Sequence, residues 1–245
     1  MRKLALVLAL AFSPALAACG EDAGLSFGSL QGAYAYVTAD LSCQGRVSGS
    51  KVTGSCDTVP SIYDDGSYKE MTVSHWEIEG TLGDSNVAAR VVHTEDIAAW
   101  WDGSCTSANH VTTYEGSASK SSGSTGTGPF AAMAGMWSAT VSGETIVKAA
   151  SVDDGVTADD CLAGRGVGAK MDRERQLVTW SSQTTLTAQT GAITWKRTSS
   201  DYWYYDEDGS TDHYSDGASD YTESTQLTAT PSDDIVVDGY VVDKL

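Results

Sequence analysis

The chain has few basic residues: its 245 residues include 15 Lys and Arg against 33 Asp and Glu, which gives a formal net charge of −18 at pH 7. Binding to nucleic acid requires a basic face, so this shortage excludes DNA and RNA as partners. His-Glu-x-x-His, P-loop and dinucleotide-binding motifs are also absent from the sequence. These absences favour a protein without catalytic activity.

Long apolar runs are missing after the N-terminus, where no stretch reaches the roughly 18 residues that a spanning helix needs. At the N-terminus, Arg2 and Lys3 precede an apolar run from Leu4 to Phe12, and small residues follow. This run is too short for a permanent membrane helix and is typical of a secretory signal peptide. We therefore predict that residues 1–18 direct export and are removed.

The end of the signal peptide, Leu16-Ala17-Ala18-Cys19, resembles the lipobox of bacterial lipoproteins. The resemblance implies that Cys19 is acylated, with palmitate among its acyl chains, and becomes the first mature residue of a short tether (residues 19–28). Gly20 stands where the family's inner-membrane retention signal has Asp, which implies an outer-membrane lipoprotein. The alternative is an ordinary signal peptide cleaved after Ala18, which would leave Cys19 as a free thiol.

Residues of alternating polarity follow one another in most of the mature chain. Apolar and polar side chains alternate with a period of two in Ala33–Leu41, Trp137–Ser142 and Ile193–Arg197. Asp-Gly and Ser-Gly dipeptides typical of tight turns separate such segments. We predict an all-β, antiparallel protein, with helical turns only near Phe130–Ala134 and Ala158–Ala163.

A Ser/Gly-rich segment, residues 120–129, divides the chain into two regions, 29–119 and 130–245, that resemble each other weakly. Gly32-Ala33-Tyr34 matches Gly135-Met136-Trp137 at an offset of 103 residues, and similar matches recur along the chain. We predict two tandem, related halves, each a β-sandwich or a small β-barrel. Gly-x-Trp at the start of a strand also resembles lipocalins, which implies a lipocalin-like topology.

Four cysteines remain after Cys19: Cys43, Cys56, Cys105 and Cys161. Export to an oxidising compartment and an even number of cysteines predict two disulfides. We favour Cys43–Cys56 across a hairpin, with Cys105–Cys161 joining the halves; the rival pairing is Cys56–Cys105 with Cys43–Cys161. No Cys-x-x-Cys spacing supports a zinc site.

Aromatic residues other than Phe are common, with 7 Trp and 11 Tyr against 3 Phe. Consecutive aromatics in a strand point to opposite faces, so such runs expose some of their rings. Exposed Trp and Tyr are typical of binding surfaces. The ligand-binding candidates are Trp100, Trp101, Tyr202, Trp203, Tyr204 and Tyr205; the alternative is that these rings only build the core and the sheet edge.

Acidic residues are concentrated between Asp201 and Glu223, and no Lys or Arg occurs between Thr198 and Asp243. Asp206, Asp208 and Asp212 resemble part of a calcium-binding loop, although Tyr204 and Ser215 occupy positions where an EF-hand needs carboxylates. A solvated hairpin loop is the alternative. A His/carboxylate metal site would require strand pairing to bring His93 and His110 together, and surface histidines are the simpler interpretation.

Together these patterns predict a lipid-anchored, exported, all-β protein that acts as a non-catalytic binding module at the cell envelope, without a cofactor unless calcium binds. Its partners would be the membrane, through the lipid, and a glycan or envelope protein. Two alternatives are a polysaccharide-acting hydrolase or lyase and a lipocalin-like carrier of a small apolar ligand.

Overall fold

The computed structural model describes residues 31–82, 86–123, 135–152, 155–164, 172–186, 190–205, 210–216, 222–229, 235–237 and 239–245. These residues form fourteen strands in one antiparallel sheet and one short helix. The all-β prediction is confirmed. Within the same residues, no helix is long and apolar enough to cross a membrane.

The strands from the N-terminal side of the Ser/Gly-rich segment are β1 (Gly32–Val37), β2 (Leu41–Ser48), β3 (Lys51–Thr58), β4 (Ser61–Asp64), β5 (Tyr68–Leu82), β6 (Asn86–Trp101) and β7 (Ser104–Gly123). The following elements are β8 (Gly135–Val152), α1 (Ala158–Leu162), β9 (Asp172–Leu186), β10 (Thr190–Tyr205), β11 (Thr211–Asp216), β12 (Thr222–Ala229), β13 (Ile235–Val237) and β14 (Tyr240–Lys244).

Most strands pair with their sequence neighbours, so the topology is a simple antiparallel meander. The pairings run β1-β2-β3-β5-β6-β7-β8-β9-β10-β12-β13-β14, and β14 pairs with β1 through Tyr34 and Lys244. The order of paired strands therefore returns to its first strand, and the sheet has an inner and an outer face. β4 pairs with β5, and β11 extends the pairing of the C-terminal half of β10.

The strands on the two sides of the Ser/Gly-rich segment share this one sheet, because β7 pairs with β8 and β14 pairs with β1. The predicted division into two separate sandwiches or barrels is not confirmed. The first residues of the predicted linker are strand: β7 continues to Gly123, and Lys120 lies opposite Trp137. Pairing with β8 thus orders residues that composition alone would place in a flexible linker.

Two strand pairs nevertheless have matching dimensions. β5 and β9 are each 15 residues long, β6 and β10 are each 16, and the bounds of both pairs differ by 104 residues. Gly32 and Gly135, which open β1 and β8, have φ angles of 143° and 144°. Only glycine adopts this conformation readily, so the residue type at both strand starts follows from the backbone.

Side chains alternate between the two faces along each strand, as a period of two requires. In β5, Ser74, Trp76, Ile78 and Leu82 are buried, whereas Glu77 and Glu79 between them are exposed. The inner face holds the apolar core, whose members include Val47, Val52, Leu82, Val87, Val91, Trp137 and Val141. Burial of these side chains provides the main driving force for folding.

Two disulfides are present, Cys43–Cys56 and Cys105–Cys161, so the favoured pairing is confirmed. Cys43 and Cys56 lie directly opposite each other on β2 and β3. Cys161 belongs to α1, where the predicted helical turn is also confirmed. Thr157 caps this helix by accepting a hydrogen bond from the Asp160 amide, as expected for a threonine at that position.

Candidate functional site

Six side chains lie side by side on six successive strands of the inner face. The register pairs Trp76 with His93, His93 with Thr112, Thr112 with Thr145, Thr145 with Gln176, and Gln176 with Tyr202. We call Trp76, His93, Thr112, Thr145, Gln176 and Tyr202 the polar row. Neighbouring strands lie about 4.8 Å apart, so the row places a polar group at regular intervals along the wall.

The polar row lines a cavity of about 680 Å³ on the inner face. A volume of 300 to 1,000 Å³ is typical of small-molecule sites, as an order of magnitude. Eight strands contribute to the wall, which is why no short sequence motif encodes it. The other wall residues are Thr58, Ser61, Thr72, Ser74, Glu95, His110, Tyr114, Gly143, Val178, Trp180 and Arg197.

The rings of Trp76 and His93 stack face to face, with centroids 4.5 Å apart and an interplanar angle of 2°. Burial lowers the pKa of His93 to about 4, because the imidazolium form would lose its hydration. His93 is therefore neutral at pH 7. Trp76 Nε1 and His93 Nε2 are buried and have no hydrogen-bond partner within the described part of the chain. Unpartnered buried polar atoms are uncommon in folded proteins, so these two atoms need an explanation.

Hydroxyl and amide groups continue the wall. The hydroxyls of Thr112 and Thr145 lie 2.8 Å apart and share a hydrogen bond, and Gln176 Nε2 donates to Ser200 Oγ over 3.3 Å. Burial raises the pKa of Tyr114 to about 12, so its phenol stays protonated. The Tyr114 ring lies against Gly143, where a Cβ atom would come within 2.6 Å of two ring carbons. Gly143 therefore makes room for this ring in the wall.

Charged groups are confined to other positions of the wall. Glu95 accepts a hydrogen bond from Ser74 Oγ over 3.4 Å, and His110 Nδ1 lies 3.9 Å from its other carboxylate oxygen. Arg197 also lines the cavity. His93 and His110 do lie on neighbouring strands of the same face, but the described residues contain no group of three or more His, Cys, Asp or Glu side chains arranged to hold a metal ion.

The predicted aromatic candidates separate onto different surfaces. Tyr202 lines the cavity, whereas Trp203, on the opposite face of β10, stacks on His213 with centroids 4.7 Å apart. The guanidinium of Arg175 lies 5.1 Å from the centroid of the Trp203 ring. Tyr204 is exposed and makes an edge contact with Tyr214. The backbone of Tyr205 pairs with Arg173 and Thr211 at the end of β10.

Trp100 and Trp101 have structural and surface positions. Trp100 Nε1 donates to the carbonyl oxygen of Val156 over 2.7 Å, so this ring fixes the segment that leads into α1. The Trp101 side chain is 66% exposed and lies beside Tyr68 in the register. Neither lines the cavity. Of the six aromatic candidates, the structure brings only Tyr202 to it.

The predicted calcium loop lies mostly outside the described residues. Asp206 and Asp208 belong to that part of the chain, while Asp212 is exposed on β11 opposite Tyr204. The site stays a prediction. Sequence reasoning missed Trp76, Tyr114, Thr145 and Gln176, because nothing in their local sequence distinguishes them from other inward positions of a strand.

No family model, curated protein or solved structure matches this chain. The function must therefore be inferred from the cavity and its wall.

Proposed function

We propose that this chain is an exported, lipid-anchored binding protein that captures a small molecule in the cavity on the inner face of its sheet. The observation that carries the proposal is the polar row, which supplies aromatic and hydrogen-bonding groups to a cavity of about 680 Å³. Trp76 Nε1 and His93 Nε2 add to it, because they are buried without a hydrogen-bond partner in the part of the chain that the structure describes.

Anchoring through Cys19 is the second part of the proposal, and it rests on the lipobox-like residues before it. Two or more acyl chains hold a protein stably at a membrane, since each buried methylene contributes about 0.8 kcal/mol. The anchor would keep the cavity at the outer membrane, where it would meet small molecules or fragments of envelope glycans. No catalytic role is required of the wall residues.

A polysaccharide-acting hydrolase or lyase is the less favoured function. Glycoside hydrolysis normally needs two carboxyl groups that flank the scissile bond. Among the described residues that line the cavity, Glu95 supplies the one carboxylate. Its neighbours Ser74 and His110 offer no second acid.

A lipocalin-like carrier of an apolar ligand is the second candidate, and the interior cavity with Trp180 and Val178 in its wall favours it. Hydroxyl, amide and imidazole groups in the polar row weigh against a pure hydrocarbon ligand, since such a ligand would bury them without partners. A ligand with its own polar groups can form hydrogen bonds with these side chains and is therefore favoured.

We further propose that the two regions of the chain are related by duplication. The equal lengths of β5 and β9, and of β6 and β10, with a common offset of 104 residues, support this proposal. On this view each copy contributes one part of a shared sheet, and the cavity lies between strands of both copies.

Calorimetric titration of the mature chain with four probes tests the binding function. The probes are glucose, glucosamine, glucuronate and N-phenyl-1-naphthylamine, which cover neutral, cationic, anionic and apolar chemistry. We expect at least one of them to bind, and Thr145→Phe, which fills the cavity, to weaken that binding at least tenfold.

Ile146→Phe is the matched control, because Ile146 follows Thr145 on β8 and is 45% exposed. Its affinity should equal that of the wild type. The proposal fails if no probe binds, or if Thr145→Phe and Ile146→Phe bind equally well, since binding would then lie outside the cavity.

A further inference from the structure

Two consecutive rows of the inner face carry no charge. The polar row has no Asp, Glu, Lys or Arg, and its one titratable imidazole, that of His93, is neutral at pH 7. The next row towards the apolar core is also uncharged; it consists of Ile78, Val91, Tyr114, Gly143, Val178 and Ser200. In a chain with a net charge of −18, two adjacent rows without charge would affect which ligands the cavity accepts.

The two uncharged rows disfavour an ionic ligand. Moving a charged group out of water into this layer has a high desolvation cost, and no opposite charge within the two rows offsets it. The charged groups of the cavity lie outside these two rows. Glu95, on one side, already contacts Ser74 and His110. Arg197, on the other side, lies opposite Trp180, two rows away from the polar row. The layer therefore selects for a neutral ligand.

The hydrogen-bonding groups of the wall favour a ligand that both donates and accepts. The hydroxyls of Thr112, Thr145 and Tyr202 can act in either sense, and the Gln176 amide supplies both a donor and an acceptor. A ligand with several hydroxyl groups has the same dual character. The side chains of Tyr114, Trp180 and Tyr202 are only partly buried, and such rings pack against an apolar C–H face.

We infer that the cavity binds a neutral sugar of one or two rings, whose hydroxyls meet the polar row while its C–H face packs on the aromatic side chains. The inference rests on the proposed binding function and adds the class of ligand. A sugar has both surfaces in one molecule, whereas an apolar ligand lacks the hydroxyls and a charged sugar adds an unpaired ion.

Three probes of the same ring isolate the role of charge. Glucose, glucosamine and glucuronate share a pyranose frame and differ in one substituent, and galactose, mannose and N-acetylglucosamine widen the neutral set. In titrations at pH 7, we expect a neutral sugar to bind at least tenfold more tightly than either charged analogue and more tightly than N-phenyl-1-naphthylamine.

Two pairs of variants test the wall itself. Gln176→Leu and Thr145→Val remove polar groups from the cavity, while Gln183→Leu and Thr140→Val make the same changes at exposed positions of β9 and β8. We expect the first pair to weaken binding of the neutral sugar about fivefold to tenfold, the loss of one or two hydrogen bonds, and the second pair to leave it unchanged.

The outcomes separate the ligand class from the binding function. Cavity-dependent binding of a charged sugar or of N-phenyl-1-naphthylamine, with no neutral sugar bound as tightly, overturns this inference and leaves the binding function standing. Failure of every probe to bind overturns both. Equal effects of the cavity variants and their exposed controls also overturn the inference, because the polar row would then not touch the sugar.

Discussion

Replacing Gly143 by alanine tests how tightly the cavity wall is packed. The new Cβ would lie 2.6 Å from Cδ1 and Cε1 of Tyr114, whereas carbon atoms in contact prefer about 3.5 to 4.0 Å. The ring must therefore move by about 1 Å. Since over-packing of this kind costs about 1 to 3 kcal/mol, we expect Gly143→Ala to lower the free energy of unfolding by that amount.

A double-mutant cycle assigns this cost to the ring contact. Tyr114→Ala removes the ring, so adding Gly143→Ala to that variant should cost less than about 0.5 kcal/mol. Urea unfolding followed by tryptophan fluorescence supplies the free energies, and an unchanged dependence on urea concentration shows that the same surface unfolds in each variant. The displaced ring should also narrow the cavity and weaken any ligand bound there.

Gly45→Ala is the control for a glycine on the inner face. Its Cβ would have only one neighbour within 4 Å, the Thr53 carbonyl oxygen at 3.5 Å, which is an ordinary contact. We expect a change of at most about 0.5 kcal/mol or a small stabilisation, because alanine reduces the freedom of the unfolded chain. The same loss of stability for Gly143→Ala with and without the Tyr114 ring would refute the packing explanation.

Three further predictions concern stability. Removing the disulfide between β7 and α1, whose cysteines are 56 residues apart, should lower the free energy of unfolding by about 4 kcal/mol. Removing the one between β2 and β3, with a separation of 13, should lower it by about 3 kcal/mol. Urea unfolding of the two Cys→Ala double variants measures both values. The folded protein holds the pKa of His93 near 4, below its ordinary value of 6.5, so the free energy of unfolding should fall as the pH drops from about 6.5 towards 4. In His93→Phe this fall should be shallower. An identical pH dependence in the variant and the wild type would contradict this explanation. Trp100→Phe should lower the free energy of unfolding by about 1 kcal/mol through loss of the Val156 hydrogen bond, whereas Trp101→Phe should change it by less than about 0.5 kcal/mol.

The sequence predicts the strand content well because the period-two alternation is a local property. Trp137–Ser142 shows it directly within β8. In Ala33–Leu41 the pattern indicates strand but not its bounds or its faces: residues 38–40 lie between β1 and β2, Tyr36 is buried and Val37 is exposed. Cysteine spacing was also informative, since a short separation favours pairing of Cys43 with Cys56 across a hairpin. In both cases the residues that interact are close along the chain.

Sequence reasoning was less successful with the aromatic residues, because composition alone does not distinguish a wall position from a packing position. Trp100 and Tyr202 both lie in aromatic runs, yet one donates to Val156 and the other lines the cavity. A bulge between Arg197 and Ser199 changes the alternation in β10 just before the second run, so counting along the strand gives the wrong face. Only the register across β9 and β10 places the rings of this second run.

By itself, then, the sequence determined that the chain is built of antiparallel strands, is cross-linked by two disulfides and carries a lipobox-like N-terminus. The tertiary structure decided that strands from both sides of the Ser/Gly-rich segment share one sheet, and that six residues far apart in sequence form the polar row. The physical reason is the range of the interactions. Alternation and turns depend on neighbouring residues, whereas the register that aligns Trp76 with Tyr202 depends on pairing along five successive strand interfaces.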